Sequence, residues 1–146
     1  MKPLTIDTMG VAGTDSPTHF ELHCSGAVES GDFPGCENLY CKYSYLYGND
    51  WTVLAGLEDG ISQIACTSSG ESQSFVWNFP LDISLRSTNV YGWPQLLISV
   101  FGHDHLGRDV IRGYASCHLP TQPGNYKLQA KCFTPMPSSL MQVTSF

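Results

Sequence analysis

Two histidines and two aspartates lie within seven consecutive residues of a weakly charged chain, in the stretch VFGHDHLGRDVIRGY at 100–114. All four side chains can bind a metal ion or transfer a proton: His103, Asp104, His105 and Asp109. A zinc site needs several rigidly held ligands, and a hydrolytic site needs an orienting group and an oxyanion donor. Calcium prefers carboxylate and carbonyl oxygens on loops. The stretch is therefore an active site, an ion site, or a polar turn between two strands.

The rest of the sequence gives catalysis little support. It contains no nucleophile elbow, no HExxH motif and no glycine loop that could cradle a phosphate. Gly102, Gly107 and Gly113 have the spacing of turns around the polar residues. The remaining histidines share no motif: His19, His23 and His118. We expect a protein that is not an enzyme and that has no catalytic residues, resident metal or cofactor.

The charge balance disfavours nucleic acid as a partner. The 146-residue chain carries 13 acidic and seven basic residues, for a net charge of −6. The basic residues are scattered along it: Lys2, Lys42, Arg86, Arg108, Arg112, Lys127 and Lys131. Nucleic acid requires a basic stripe, and a membrane surface contributes about 1 kcal/mol per nearby Lys or Arg. The composition indicates an ordinary globular surface with neither a basic stripe for nucleic acid nor a basic cluster for a membrane.

The cysteines and the N-terminal stretch indicate a reducing compartment. The sequence MKPLTIDTMGVAGTDSP lacks the apolar core of a signal peptide, so a cytoplasmic location is expected. Six cysteines are present, and no two of them form a CxxC pair. Without a secretory signal, we expect these thiols to be reduced rather than paired in disulfides.

Apolar and polar residues alternate with period two, which predicts β-strands. The alternation is clearest in VWNFPLDISL, and it recurs in FELHCSGAV, LYCKYSYLYG and YKLQAKCF. The apolar side of the first stretch comprises Trp77, Phe79, Leu81, Ile83 and Leu85. Turn clusters rich in Gly and Pro separate these stretches, and no segment has a helical stripe. The pattern predicts an all-β protein, an antiparallel β-sandwich of about seven to eight strands.

Two further expectations concern the limits of these elements. Pro80 interrupts its strand pattern, which predicts an edge strand or a bulge at that point. Residues 1–18 have the composition of a flexible N-terminal tail, so the domain is expected to occupy 19–146.

Several stretches resemble a known fold family. The segment LLISVFGHDHLGRDVIRGYASCHLP resembles a strand–loop–strand unit of C2 domains, and FVWNFPLDI and ENLYCKYSY are similar to other C2 strands. The closer resemblance is to the B9 domain family, a C2-like branch. Five blocks in order carry it: LYCKYSYLYGNDW, AGLEDGISQI, VWNFPLDI, STNVYGWPQLLISVFG and GRDVIRGY. Together they cover about residues 20–135, so the chain is identified as a member of this family with a C2-like sandwich fold.

The resemblance implies a structural role at the base of the cilium. Family members work in the transition zone and basal body region, within the Meckel syndrome (tectonic-like) complex. There they support a barrier that controls entry of membrane proteins, on which ciliogenesis and Hedgehog signalling depend. The implied partners are other B9-domain proteins (B9 domain-containing protein 2 and Meckel syndrome type 1 protein) and tectonic-complex proteins. The alternative implied by the C2 fold is a membrane-lipid-binding module, with peripheral membrane association and weak or absent calcium dependence.

The C2 resemblance also implies where calcium ligands would lie. The matching positions are Asp32, Asn38, Gly102, Asp104 and the neighbourhood of Asp109. Asn38 and Gly102 lack carboxylates, and Asp109 is shifted by one residue. Because calcium affinity falls with the number of charged ligands, we expect a degenerate ion loop. In this interpretation Asp104 and Asp109 accept bonds from backbone N–H groups, while the two histidines face water.

Aromatic residues in two turns are candidates for an interaction surface, because Tyr and Trp bury large areas at low entropic cost. The turns are LYGNDW and NVYGWP, and their candidate residues are Tyr47, Trp51, Tyr91 and Trp93. The family resemblance further implies a final apolar strand after MPSSLMQVTSF. The domain in 19–146 is therefore expected to be incomplete at its C-terminal end, with an open sheet edge.

Overall fold

The computed structural model describes residues 4–9, 19–67 and 74–133, and every regular element among them is a β-strand. In chain order, the strands are β1 (Leu4–Met9), β2 (Phe20–Asp32), β3 (Asn38–Leu46), β4 (Trp51–Gly56), β5 (Asp59–Ile61), β6 (Ala65–Cys66), β7 (Ser74–Ser87), β8 (Gln95–His103), β9 (Asp109–His118) and β10 (Asn125–Ala130). Within these described residues there is no helix long and apolar enough to cross a bilayer.

The strands form two antiparallel sheets. Sheet A has the order β10-β1-β2-β7-β4, and sheet B has the order β5-β3-β8-β9, with β6 also paired to β3. Buried side chains from both sheets join in one core. The predicted all-β sandwich is confirmed, but the described residues form ten strands rather than seven to eight. The strands that the alternation did not predict include β1 and β4, each of six residues.

The alternating patterns place the apolar residues inward as predicted. On β3, Leu39, Cys41, Tyr43 and Tyr45 are buried, and the residues between them are not. On β7 the same alternation turns every second side chain inward: Phe79 is partly buried, and the buried ones are Phe75, Trp77, Leu81, Ile83 and Leu85. Since successive side chains leave opposite faces of a strand, each stretch presents one face to the shared core.

Pro80 lies on β7, which is an inner strand of sheet A between β2 and β4. It is opposite Ala27 of β2, and β4 has already ended, with Gly56 paired to Ile83. Proline therefore removes no ladder bond on that side. The ladder between β2 and β7 is irregular nearby, and Asn78 has a φ of 45°. The predicted bulge is confirmed, while β7 is an edge only along this part of its length.

The segment expected to be a flexible tail, 1–18, contains a strand. Its β1 pairs with β2 on one side and with β10 on the other. The partners are distant in sequence, and the six residues LTIDTM are too few for a convincing pattern, so tertiary pairing decides their conformation. Residues 10–18 and the C-terminal stretch 134–146, after which the final apolar strand was expected, lie outside the described residues.

Truncation of Ile83 to alanine tests the core. Ile83 is fully buried, so Ile83→Ala is expected to lower the free energy of unfolding by about 2–5 kcal/mol through lost burial and the remaining cavity. Urea denaturation followed by tryptophan fluorescence measures this. The matched control is Val76→Ala on the same strand, where the side chain is 58% exposed and the loss should stay below about 0.5 kcal/mol. Equal losses in the two variants would contradict the assigned faces of β7.

Candidate functional site

Asp104 organises the turn between β8 and β9. Its Oδ1 accepts hydrogen bonds from the backbone N–H groups of Leu106 and Arg108, both at 2.9 Å. Its Oδ2 accepts a bond from Nε of Arg108 at 3.0 Å. The expectation that Asp104 satisfies backbone N–H groups is confirmed. Both carboxylate oxygens are thus engaged within the turn.

These bonds favour the charged form of Asp104. The backbone N–H of Arg108 is the largest influence that lowers the pKa of this carboxyl group, with the N–H of Leu106 and the Arg108 guanidinium acting in the same direction. Hydrogen bonds and a positive charge both stabilise a carboxylate relative to its protonated form. Asp104 is therefore a structural anion whose partners belong to its own turn.

Asp109 has a different partner from the one expected. Its Oδ1 lies 3.1 Å from Nδ1 of His103, with which it is paired across the β8–β9 ladder. The expected role of Asp109 in binding backbone N–H groups is therefore replaced by side-chain pairing, because the strand register places His103 opposite it. His103 is half-exposed and His105 is exposed.

A cleft of about 330 Å³ opens at the same end of the sandwich, between the β2–β3 loop and strands β8 and β9. Its lining is Gly35, Cys36, Glu37, Asn38, Leu39, Gly102, His103, Asp104 and Arg112. Three of the C2 ion-loop positions, Asn38, Gly102 and Asp104, thus share this cleft. Asp32 lies instead at the end of β2, opposite Ser74.

The cleft contains a cation where a calcium site would need a carboxylate. A Cβ atom added to Gly102 would lie 3.3 Å from both Cγ and Nε of Arg112, so the arginine side chain packs across this glycine. The Arg112 guanidinium also donates to the carbonyl of His103 at 3.1 Å. Asn38 Oδ1 accepts a bond from Sγ of Cys66 at 2.8 Å. Among the described residues, no three His, Cys, Asp or Glu side chains are grouped so that they could hold a metal ion.

The four candidate aromatic residues lie at the opposite end of the sandwich, and their exposure differs. The prediction of an exposed Trp51 is wrong: the side chain is 4% exposed because position 51 begins β4 and faces the core. Trp93 and Tyr47 are half-buried. Tyr91 is 82% exposed. The proposed interaction surface is thereby reduced mainly to Tyr91.

The buried tryptophans form a cluster with Phe20. Trp51 contacts Phe20 and Trp93 edge-on, with ring centroids 5.4 and 5.2 Å apart, and Phe20 stacks on Trp93. The indole N–H of Trp51 donates to the carbonyl of Tyr91 at 2.8 Å, and that of Trp93 donates to the carbonyl of Leu119 at 2.7 Å. Both indoles thus satisfy their polar atom while burying their rings.

Sequence reasoning did not find a polar group on the outer face of sheet A. His23 of β2 is paired with Ser84 of β7, and Nδ1 lies 2.6 Å from Ser84 Oγ. Its Nε2 is 3.8 Å from a carboxylate oxygen of Asp82. The three residue types suit nucleophilic catalysis, but His23 and Asp82 are more than half exposed on a sheet face, away from the cleft. Only the register between β2 and β7 brings these three residues together, and no local sequence pattern predicts that register.

The outer face of sheet B is more aromatic than that of sheet A. Tyr40 stacks on Phe101 at 5.6 Å, and the ammonium group of Lys42 lies 4.9 Å above the Phe101 ring. Tyr114 packs against Phe133 at 5.7 Å, and both rings are about half exposed. Sequence alternation predicts Tyr40 and Lys42 on one side of β3, but the partners on β8 and β9 follow from register.

The six cysteines are free thiols, as predicted. Burial raises the pKa of Cys24 and Cys117 to about 11 and that of Cys41 to about 12. The thiolate is the reactive form of cysteine, so these three thiols are inert at neutral pH.

Removal of the Asp104 carboxylate should change the pH dependence of stability. Because folding lowers the pKa of this group, its contribution is present above the ordinary pKa of about 3.8 and is lost as pH falls toward the folded-state value. Asp104→Ala is expected to lower the midpoint of thermal unfolding at pH 7, and the difference from wild type should shrink below about pH 4. Leu106→Ala, in the same turn, removes no ionisable group and is the control, so its difference from wild type should not depend on pH. A difference that persists unchanged into acid would contradict the role of the charge.

Calcium should not stabilise the fold, because Arg112 occupies the cleft and Asp104 is already saturated with donors. At about 1 mM calcium, even a site with a Kd of about 1 mM would add only about 0.4 kcal/mol. Thermal unfolding in calcium, with magnesium as the matched control, is expected to give the same midpoint. A saturable increase specific to calcium would overturn this expectation.

The chain was compared with known proteins. The family described as "B9-C2: Ciliary basal body-associated, B9 protein" matches residues 22–146. B9 domain-containing protein 1 of Xenopus laevis is 51% identical over 126 residues, which are 86% of this chain and 64% of the relative. The human protein of the same name is 50% identical over 129 residues, 88% of this chain and 63% of the relative.

A second group of relatives is more distant. B9 domain-containing protein 2 of Rattus norvegicus is 29% identical over 118 residues, 81% of this chain and 66% of the relative. The chain spans about 62–64% of the length of the first three relatives. Since the family match covers most of the chain and the fold is the predicted antiparallel β-sandwich, the chain belongs to the B9-C2 family of ciliary basal body-associated proteins.

Proposed function

We propose that this protein is a non-enzymatic structural component of the ciliary transition zone. In this role it binds other B9-domain proteins within the Meckel syndrome (tectonic-like) complex and supports the barrier to membrane-protein entry, and thereby ciliogenesis and Hedgehog signalling. The observation that carries the proposal is the family match over residues 22–146, together with similarity to two kinds of B9 protein. We propose the cytoskeletal basal body and transition zone as its location, and the family's description as ciliary basal body-associated supports this proposal.

The chemistry of the described residues supports a role without catalysis. Two charged groups of the cleft already have partners within the chain: Asp104 bonds to Arg108, and Arg112 bonds to the His103 carbonyl. The Ser84–His23–Asp82 group lies on an exposed sheet face, where the backbone N–H groups that an oxyanion hole needs are used in the ladder. Binding through surface side chains is the function that remains.

Exposed apolar groups support protein binding in particular. The outer face of sheet B presents Tyr114 and Phe133 at about half exposure, and Ile61 at 59%. A sandwich needs no aromatic residues on a solvated outer face, where polar residues normally alternate with buried ones. Large exposed apolar side chains in one region are typical of protein interfaces.

The alternative function is a C2-type module that binds membrane lipid. One observation favours it: Leu106 is 65% exposed at the tip of the β8–β9 turn, beside the cationic Arg108. The net charge of −6 and the scattered basic residues weigh against it, because anionic lipid attracts clustered positive charge. Such binding would be independent of calcium, since Arg112 already occupies the cleft.

Size-exclusion chromatography of the full chain with B9 domain-containing protein 2 and Meckel syndrome type 1 protein tests the proposal. We expect a complex of defined size that elutes earlier than any component alone, and mixing the proteins pairwise identifies the direct contact. Sedimentation with anionic liposomes, with and without calcium, is the parallel arm. A folded chain that stays separate from both proteins but sediments with liposomes would replace the proposal with the alternative.

A further inference from the structure

Tyr91 combines a fixed backbone with a free side chain. It lies in the loop between β7 and β8, and its side chain is 82% exposed, the highest value among the exposed large apolar residues described. Its backbone N–H donates to Oδ1 of Asn89 at 2.9 Å, and its carbonyl accepts the indole N–H of Trp51 at 2.8 Å. Both backbone polar groups are therefore held, while the ring extends into solvent.

Asn89 is itself fixed on several sides. Its backbone N–H donates to Oγ of Ser87 at 3.2 Å, and the same hydroxyl donates to the Asn89 carbonyl at 2.8 Å. Its side-chain amide donates to Asp50, in the loop between β3 and β4, at 2.5 Å. Ser87 is buried. The loop that carries Tyr91 is thus anchored both to its own strand and to the neighbouring loop.

Two glycines bring these loops into direct contact. The N–H of Gly48 donates to the carbonyl of Gly92 at 3.0 Å. A Cβ atom added to Gly92 would lie 2.5 Å from Cα of Gly48, so no larger residue fits. Gly92 also has a φ of +68°, which glycine adopts without steric cost. Beneath the contact, the cluster of Trp51, Trp93 and Phe20 supports both loops from the core.

A rigid, exposed tyrosine is suited to be an interface anchor. Binding normally costs conformational entropy when loops and side chains become ordered, and a loop already held in place avoids most of that cost. Tyrosine contributes a large contact area with few rotatable bonds and a hydroxyl that can reach a partner. Val90, which precedes it, is 64% exposed and extends the apolar tip.

The charges in the two loops around Tyr91 favour one kind of partner over another. Asp50 is the single charged residue in the two loops, 47–50 and 88–94, and it is bonded to Asn89. Anionic lipid gains affinity from nearby Lys or Arg, and neither loop contains one. An apolar pocket on a protein, with a neutral or basic rim, complements this tip better than a membrane does.

We propose that Tyr91 is the anchor through which this chain docks into an apolar pocket of another B9-domain protein. This inference rests on the proposed function and names the surface that performs it. The fixed backbone of this loop contributes to the affinity that we propose. Loosening the loop should therefore weaken binding even when the Tyr91 ring is intact.

Binding of the full chain to immobilised B9 domain-containing protein 2 and to Meckel syndrome type 1 protein tests this inference by surface plasmon resonance. Tyr91→Ala is expected to weaken the interaction about 30-fold, the range of a central interface residue. Tyr91→Phe should retain most of the affinity. Asn89→Ala, which releases the loop but keeps the ring, should give a smaller loss. Leu106→Ala is the matched control, an exposed apolar residue at the opposite end of the sandwich, and should bind like wild type.

The outcomes separate the two proposals. A loss confined to the Tyr91→Ala and Asn89→Ala variants, with unchanged thermal unfolding of Tyr91→Ala, supports the anchor. Equal binding by wild type and Tyr91→Ala overturns the anchor while the proposed function stands. Failure of wild type to bind either protein overturns both. Weakening by Leu106→Ala but not by Tyr91→Ala would overturn the anchor and move the interface to the β8–β9 turn.

Discussion

The contact between Trp77 and the backbone of β3 joins the two sheets. The Trp77 ring stacks on Phe75 and meets Phe33 edge-on, while its indole N–H donates to the carbonyl of Leu39 at 3.1 Å. A hydrogen bond that crosses the core fixes the position of β7 over β3 more tightly than apolar packing alone, because it is directional. Since Leu39 also lines the cleft and Phe33 begins the β2–β3 loop, this contact sets the geometry of the whole ion-loop end.

At that end, Asp104 and Arg112 already have partners within the chain, which disfavours a bound cation. Arg112 reaches this position because Gly102, paired with Val110 next to the strand bulge, has no side chain to exclude it. A carboxylate at position 102 would have competed for that space and would have brought negative charge to the cleft. Gly102 thus leaves room for the Arg112 guanidinium in the cleft, where a carboxylate would have favoured a bound metal ion. The charge of Arg112 makes a divalent ion in the same cleft unfavourable.

The alternating stretches on β3 and β7 allowed the fold class to be predicted, because a strand with one buried face has an apolar residue at every second position. Trp51 was misplaced because a residue that opens a strand has too few neighbours to show a period. The partners of Asp109 and His23 depended on which strands pair and in what register, which no local pattern contains. Asp104 was predictable because its partners lie within four residues. Local hydrogen bonding could be read from the sequence, whereas cross-strand chemistry could not.

The two ends of the sandwich differ in how they use rigidity. At the ion-loop end, Asp104 accepts bonds from N–H groups of its own turn, so the order achieved there stabilises the turn itself. At the other end, Asn89 and Trp51 hold the backbone around Tyr91, yet the ring makes no use of that order within the chain. Ordering a loop costs conformational entropy. A fixed Tyr91 ring would offset that cost within the chain only if the ring packed against other residues of the chain. The arrangement is therefore best explained by a contact with another molecule.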